Sequence, residues 1–252
     1  DLMTGQSGTQ VGGVRRALRK QRRVCWVGCC PPLPSPILHK ILFQPPQPSY
    51  VFKEPGTGQR IPPESLDQWL DRPLEVAWSE ELGRRLGSEA ALDKVEGLEG
   101  LAVRRGGGLT GALAAVHLRC PGAQALFLYS HSNAMDLGQS LPFLLKLRRK
   151  LRGAVLAYDY GGYGLSGHGA AASEEAVYRE AEAVLALAQA RLGWPPERVV
   201  PIGFSLGTAP TAHLAVAEPR LAAVVQAGAY ISPIDCIRER PSAYANPCRS
   251  RD

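Results

Sequence analysis

From residue 92 onward, short apolar runs and longer helical patterns alternate along the chain, and this alternation constrains the fold more than any other feature. A strand that passes through a helix to a neighbouring strand forms a right-handed crossover. The sequence therefore predicts an α/β domain with a mostly parallel, doubly wound sheet that helices cover on both faces. We predict strands at 95–104, 112–118, 125–130, 154–158, 198–202 and 222–230, and helices at 140–152, 174–192 and 206–216. Ser140 and Ser173 are the predicted N-caps of the first two helices.

The net charge of +6 is concentrated in one short segment, and the rest of the chain is balanced at 23 basic and 23 acidic residues. A short polybasic run attracts an anionic membrane surface, and we expect this surface as a partner. A nucleic-acid partner is not expected, since the run lacks the aromatic side chains that stack on bases. The run spans residues 14–23, contains no acid and holds Arg15, Arg16, Arg19, Lys20, Arg22 and Arg23.

Three cysteines, Cys25, Cys29 and Cys30, follow the basic run directly. Three thiols could begin a zinc site, but no nearby His or second Cys pair supplies the missing ligand. Lipid attachment is favoured over a metal, because two or three acyl chains together with the basic run give stable anchoring. The apolar stretch at 24–43 is interrupted by four prolines, so it offers no uninterrupted span of about 18 apolar residues that could cross a bilayer.

The chain divides into three zones by composition. Residues 1–55 are basic, Cys-rich and Pro-rich, have too little apolar periodicity to form a core, and are interpreted as a membrane-anchoring segment. Residues 56–92 are interpreted as a linker or variable insertion with short helices. Residues 93–252 are predicted to form the α/β domain.

The sequence Gly203-Phe204-Ser205-Leu206-Gly207 joins a predicted strand to a predicted helix. A G-x-S-x-G motif in this setting is typical of a nucleophile elbow, in which a strained turn exposes the serine hydroxyl at the edge of the sheet. The motif alone is weak evidence, and a structural Gly-Ser turn in another doubly wound fold is the alternative. Ser205 is our candidate nucleophile.

A second candidate element, His131-Ser132-Asn133-Ala134, follows the third predicted strand. In a hydrolase elbow of this kind, two backbone N–H groups hold the oxyanion, one from the residue after the nucleophile and one from the loop after that strand. Leu206 and Asn133 are the candidate donors. Since the triad order is Ser, acid, His, we interpret His131 as a residue that shapes the loop and not as the general base.

A glycine-rich loop at residues 158–166 follows the fourth predicted strand. It lacks both the G-x-G-x-x-G order of a dinucleotide site and the lysine of a P-loop, so no cofactor is expected. We interpret it as a structural loop that borders the active site, with Asp159 hydrogen-bonded to the local backbone.

Several segments closely resemble the α/β-hydrolase domain-containing protein 17 family of membrane-associated serine hydrolases, over roughly residues 24–54 and 92–236. They include CWVGCCPPLPSPILHKILFQPP, VHLRCPGAQALFLYSHSNAMDLGQ, AYDYGGYGLSG and LGWPPERVVPIGFSLGT. The resemblance implies an α/β-hydrolase fold, a Ser205 nucleophile, and depalmitoylation of S-acylated membrane proteins. It also implies palmitoylation of Cys25, Cys29 and Cys30, and a peripheral location on the cytoplasmic face of the plasma or endosomal membrane.

The chain departs from the family pattern at three places, and the third is its ending, which comes before the acid and the His that a family member carries on later segments. Ser132 replaces a glycine, which is unfavourable if the position needs positive φ, and Pro201 falls in a central strand, where it cannot donate to the sheet. His213 is expected to point away from Ser205, and Asp235 is a weak candidate for a relocated acid. We therefore expect the chain to be C-terminally incomplete, to lack the last strands and helices of the fold, and to lack a complete triad.

Two functions stay open from the sequence alone. One is a membrane-anchored serine thioesterase. The other is a catalytically incomplete relative or fragment that keeps the fold. If the protein is an enzyme, a related carboxylesterase or serine peptidase-like hydrolase is the alternative to the thioesterase.

Overall fold

The computed structural model describes residues 43–86, 95–166 and 172–229, and these residues form a nine-stranded sheet with helices packed on it. The strand order across the sheet is β2-β1-β3-β4-β5-β7-β6-β8-β9. The elements along the chain are β1 (Tyr50–Lys53), β2 (Arg60–Ile61), β3 (Pro73–Trp78), α1 (Glu80–Leu86), β4 (Leu98–Arg104), β5 (Ala112–Leu118), β6 (Leu126–Ser130), α2 (Leu137–Leu151), β7 (Ala154–Tyr158), α3 (Glu174–Ala190), β8 (Val199–Phe204), α4 (Thr208–Ala217) and β9 (Val225–Ala227).

The predicted α/β-hydrolase fold is confirmed, and its parallel part consists of β7, β6, β8 and β9. Helix α2 joins β6 to β7, α3 joins β7 to β8, and α4 joins β8 to β9. Strands β6 and β8 are therefore neighbours in the sheet although two helices and a strand separate them in sequence. The strands from β2 through β5 pair antiparallel, and β5 is antiparallel to β7.

Helices cover both faces of the sheet, as predicted. Helix α2 buries Leu137, Leu141 and Leu144 on one face, and α3 buries Val177, Ala181 and Val184 on the other. Each of the larger aliphatic side chains contributes about 1.5–3 kcal/mol of hydrophobic stabilisation relative to exposure. The sheet therefore lies between two buried apolar layers, one against each face. These layers hold the sheet in place, so the loops at the carboxyl ends of the parallel strands begin at fixed positions.

Strands β1, β2 and β3 were not predicted from the sequence, and two of them, β2 and β3, lie between residues 56 and 92, where short helices were expected. Tyr50 and Phe52 of β1 are fully buried. These strands have two to six residues, and such short runs give little periodicity. One short helix of this segment is a 3-10 helix, Pro63–Trp69, which buries Leu66. The division of the chain at residues 55 and 92 stays a prediction.

Helix α2 begins earlier than predicted. Asp136, and not Ser140, is the N-cap, and its Oδ1 accepts a hydrogen bond of 2.9 Å from the Gln139 amide. The helix ends with Arg152 in the left-handed region at φ 51°. The N-cap of α3 is Ser173, as predicted, with its hydroxyl 3.1 Å from the Ala176 amide.

Pro201 lies within β8 without breaking the sheet. Strand β9 pairs with β8 only from Ile202 onward, and before that the Val199 carbonyl accepts from the Ala222 amide. Backbone groups two residues apart along a strand point to the same side, so those of Pro201 point, like those of Val199, toward the segment before β9. The N–H that Pro201 lacks is therefore missing on that side of β8 and not on the side of β6. The proline therefore removes no hydrogen bond from the central β6–β8 pair.

Several predicted features fall outside the described residues. They are Cys25, Cys29, Cys30, the six basic residues of the 14–23 run, and Asp235. Among the helices that the structure describes, none has both the length and the apolar character needed to span a bilayer.

Candidate active site

The G-x-S-x-G motif forms a sharp turn between β8 and α4. A 3-10 turn, Ser205–Gly207, joins the two elements, and Ser205 lies in the left-handed region at φ 48° with an exposed side chain. A residue other than glycine in this region costs about 1–2 kcal/mol, and such strain clusters at functional sites. The setting of strand, strained serine and helix is the one that the motif predicts.

The two glycines of the motif permit close backbone contacts. A Cβ at Gly203 would collide with the Gly207 carbonyl oxygen, and a Cβ at Gly207 would collide with the Ser130 carbonyl oxygen at the end of β6. Both positions therefore require glycine for lack of space. These contacts also pack the Ser205 turn directly against the start of the 131–136 loop.

The 131–136 loop and Ser205 lie at the same edge of the sheet. In the parallel pairing of β6 with β8, Ser130 is opposite Gly203, so the two chains leave the sheet side by side. Leu206, the first candidate oxyanion donor, is buried. Asn133, the second, is half-buried, and its Oδ1 accepts a 2.6 Å hydrogen bond from the Tyr163 hydroxyl. The fold thus brings together the three residues that the sequence singled out.

Ser132 does not carry the strain expected from the loss of the family's glycine. It is absent from the residues with positive φ, whereas Ala134, two positions later, has φ 57°. The left-handed residue of the loop is therefore an alanine, and the Ser132 replacement adds no backbone strain of this kind.

His131 is buried and faces away from solvent. Its Nδ1 lies 2.8 Å from the Ser132 carbonyl oxygen, which fixes the proton on that nitrogen. Burial lowers the pKa of His131 to about 4, so the ring is neutral at neutral pH. A side chain with no exposed surface in this position agrees with the interpretation of His131 as a loop-shaping residue.

His213 is directed toward helix α3, as expected. Its Nε2 lies 2.7 Å from Glu182 Oε1, and its ring stacks on Tyr178 with a centroid distance of 4.7 Å. The third described histidine, His117, pairs with Glu99 at 2.8 Å across strands β4 and β5. Each histidine of the described part of the chain is therefore engaged away from the Ser205 hydroxyl.

Asp159 accepts a hydrogen bond from the backbone of Leu165 in its own loop, as predicted, and its carboxylate also binds two residues outside that loop. Its Oδ2 accepts from the Tyr50 hydroxyl at 2.6 Å and its Oδ1 accepts from the Leu137 amide at 2.9 Å, so it joins β1, α2 and the glycine-rich loop. Burial, with a smaller contribution from the nearby Asp136 charge, raises the pKa of Asp159 well above its usual range. Tyr50 and Leu137 lie outside this loop in the sequence, and no local pattern could have predicted these two partners.

A buried ion pair behind the glycine-rich loop was not predicted from the sequence. Glu180 of α3 is fully buried, bonds the guanidinium of Arg105, and accepts from the Gly161 amide at 3.0 Å. Burial raises the pKa of Glu180, while the Gly161 amide and Arg105 act in the opposite direction. The pair fixes the glycine-rich loop, which in turn carries Tyr160 and Tyr163 to the 131–136 loop.

Within the described ranges, no group of three or more His, Cys, Asp or Glu side chains could hold a metal ion. The site therefore consists of a strained, exposed serine and the backbone amides beside it. Such an arrangement can present a nucleophile and stabilise an oxyanion, provided that a base accepts the serine proton.

No family model matches the chain. It is 35% identical over 196 residues to alpha/beta hydrolase domain-containing protein 17C of Xenopus laevis, which covers 76% of this chain and 60% of that protein. It is 31% identical over 193 residues to protein 17B of Homo sapiens, with the same shares of both chains. Among solved structures, a thermophilic carboxylesterase cloned from a metagenomic library is 19% identical, with a TM-score of 0.43 over 66% of this chain and 54% of that one.

The chain spans about 60% of the length of these two curated relatives. The names of the two relatives differ only in their final letter, and the similarity extends over three quarters of this chain. Over that aligned part, the chain belongs to the alpha/beta hydrolase domain-containing protein 17 family.

Proposed function

We propose that this protein is a serine hydrolase that cleaves S-palmitoyl thioesters from membrane-associated proteins, with Ser205 as its nucleophile. The observation that carries the proposal is the left-handed Ser205 between two glycines that have no space for a Cβ. A strained serine exposed at the end of a strand is the arrangement that nucleophilic catalysis needs. The family relationship supports a hydrolase, and the thioester specificity is our own proposal.

In the proposed reaction, the Ser205 hydroxyl attacks the thioester carbonyl carbon, and the carbonyl oxygen of the substrate becomes an oxyanion. The backbone amides of Leu206 and Asn133 stabilise that charge, the cysteine thiol of the substrate leaves, and water then hydrolyses the acyl-serine ester. A base must accept the serine proton. None of the three described histidines is placed to do so, since each binds another group.

An aromatic surface beside Ser205 supports an apolar acyl substrate. Phe204, the residue before the serine, lies 5.5 Å from Phe143 and 6.0 Å from Tyr129, measured between ring centroids. Phe143 is 38% exposed, so part of this surface is open to solvent. Contact with such a surface favours a long alkyl chain by about 0.8 kcal/mol per buried methylene group.

Membrane attachment is part of the same proposal. Acyl chains on Cys25, Cys29 and Cys30, together with the basic run, would place the enzyme on the cytoplasmic face of the plasma or endosomal membrane, where its S-acylated substrates reside. These residues support the proposal by their spacing and order in the sequence alone.

A fluorophosphonate probe tests the nucleophile. Labelling of the full chain should disappear in Ser205→Ala and persist in the control Ser65→Ala, which changes a serine of the distant 3-10 helix. Hydrolysis of a palmitoyl thioester should exceed that of the matched oxygen ester. Labelling that survives Ser205→Ala would reject the proposed nucleophile, and equal rates on both esters would indicate a general carboxylesterase.

A second candidate is a catalytically incomplete protein that keeps the fold. The engagement of His117, His131 and His213 with other groups favours it. A chain that unfolds cooperatively but shows neither labelling nor thioester hydrolysis would support this candidate.

A further inference from the structure

The segment before β1 lies along the loop that carries the second oxyanion donor. We call residues 43–49 the strap. The Gln44 amide donates to Asn133 Oδ1 at 3.0 Å and approaches the Tyr163 hydroxyl oxygen at 3.1 Å. Further along, the Ser49 amide donates to Asp136 Oδ2 at 2.6 Å, and the Ser49 hydroxyl donates to Asp136 Oδ1. Each end of the strap therefore contacts the 131–136 loop, one at Asn133 and the other at Asp136.

Three donors converge on the Asn133 side chain. Its Oδ1 accepts from the Tyr163 hydroxyl at 2.6 Å, from the Gln44 amide at 3.0 Å and from the Ala134 amide at 3.0 Å. Rotation of the side-chain amide would break all three bonds at once. Since Ala134 is also held in the left-handed region, the backbone at 133–134 has a defined direction.

The partners of Asn133 are themselves fixed. Tyr163 has no exposed surface, and its loop is held by the buried pair of Glu180 and Arg105 through the Gly161 amide. A second tyrosine, Tyr160, donates its hydroxyl to the His131 carbonyl oxygen at 2.7 Å. Thus the glycine-rich loop supports the 131–136 loop from inside the protein, and the strap supports it from outside.

The Asp136 end is packed closely as well. A Cβ at Gly138 would collide with the Ser49 hydroxyl, so the strap and the first turn of α2 are in direct contact there. Asp136 also caps α2, which links the position of the strap to the start of that helix. A displacement of the strap would therefore disturb both the loop and the helix that follows it.

We propose that the strap and Tyr163 are positioning elements that hold Asn133 in the orientation needed for the oxyanion hole; the catalytic consequence rests on the proposed function. Complete loss of one oxyanion donor lowers the rate about 10²–10³-fold, so a partial displacement of the Asn133 amide should lower the rate by less. In the sequence, the strap begins 13 residues after Cys30.

A matched pair of substitutions separates the Gln44 amide from its side chain. Gln44→Pro replaces the N–H that donates to Asn133 Oδ1 with the proline Cδ, so the contact is lost and the two groups must move apart, whereas Gln44→Ala keeps the N–H. Tyr163→Phe removes the buried hydroxyl. Its control is Tyr178→Phe, since Tyr178 donates to Glu174 on the surface of α3.

Amide hydrogen exchange of residues 131–136 in the full chain is the first measurement. We expect Gln44→Pro and Tyr163→Phe to accelerate exchange at least threefold in this loop, at a pH and temperature where all variants stay folded, and both controls to match the wild type. Unchanged exchange in both test variants would overturn the proposal. This measurement does not depend on catalysis, so it decides the positioning contact even if the proposed function fails.

Thioester hydrolysis is the second measurement. We expect kcat to fall about tenfold in Tyr163→Phe and Gln44→Pro, with KM within twofold of the wild type, because an oxyanion donor acts in the transition state. A rise in KM at constant kcat would contradict positioning of the oxyanion donor and would indicate a role in substrate binding.

Discussion

The Nε2 atom of His131 lies 3.4 Å from Oδ1 of Asp159, with both side chains fully buried and without the geometry of a hydrogen bond. Burial shifts the two pKa values in opposite directions, since it lowers that of His131 and raises that of Asp159. Both shifts favour the neutral form. The interior behind the 131–136 loop is therefore a place where added charge destabilises the fold.

This relationship predicts an acid-sensitive fold. The folded-state pKa of His131 is about 4, below the usual value of 6.5, so its contribution to stability is fully present above pH 6.5 and is lost as pH falls toward 4. The shift corresponds to about 3 kcal/mol. We expect the free energy of unfolding to fall more steeply between pH 6.5 and 4.5 in the wild type than in His131→Gln.

Urea unfolding at several pH values measures this difference. Asp159 acts in the opposite direction, because a raised folded-state pKa gives stability that is lost as pH rises. The comparison with His131→Gln isolates the histidine, since Asp159 is present in both proteins. Parallel pH curves for the two proteins would show that His131 is not held neutral.

The elbow glycines give a second prediction. Gly203→Ala and Gly207→Ala should each destabilise the protein by about 2–4 kcal/mol, because the new methyl group meets backbone atoms that cannot move aside. The control is Gly193→Ala, at φ 74° with no atom within 4 Å of the new methyl group, which should cost only about 1 kcal/mol. Denaturant titration followed by circular dichroism measures all three; equal losses would show that the elbow is not closely packed.

The sequence predicted those features that depend on local periodicity and on short motifs. The alternation of strands and helices, the Ser173 cap and the strand–turn–helix setting of Ser205 are present as expected. The N-cap of α2 was misplaced because Asp136 and Ser140 are both good caps one turn apart, and the sequence does not rank them.

The missed features depend on contacts between distant segments. Strands β1–β3 are too short to show a pattern, and they are stabilised by burial of Tyr50 and Phe52 against strands far along the chain. The support of the 131–136 loop joins Gln44, Asn133 and Tyr163, which are up to 119 residues apart. A side-chain or backbone hydrogen bond over that separation leaves no local sequence signal.

Helix α3 provides a matched test of the buried ion pair. Glu180→Gln leaves the Arg105 guanidinium buried without its partner charge, which should cost about 3–5 kcal/mol. Glu175→Gln breaks the exposed pair with Arg179 on the same helix and should leave the unfolding temperature close to that of the wild type. Thermal unfolding distinguishes the two, and a loss below 1 kcal/mol in Glu180→Gln would show that water reaches Arg105.

The strain at Ser205 gives a prediction that separates structure from chemistry. Ser205→Gly should be about 1 kcal/mol more stable than Ser205→Ala, because glycine adopts φ 48° without the clash that a Cβ suffers. Both variants should lose fluorophosphonate labelling, whereas His213→Ala should keep the wild-type labelling rate, since His213 is bound to Glu182. Urea unfolding and labelling time courses on the same samples measure both effects. If Ser205→Gly is more stable than Ser205→Ala but the wild type shows no Ser205-dependent labelling, the elbow is strained without a nucleophile, and the non-catalytic candidate is favoured. A loss of labelling in His213→Ala would mean that His213 leaves Glu182 and serves as the base.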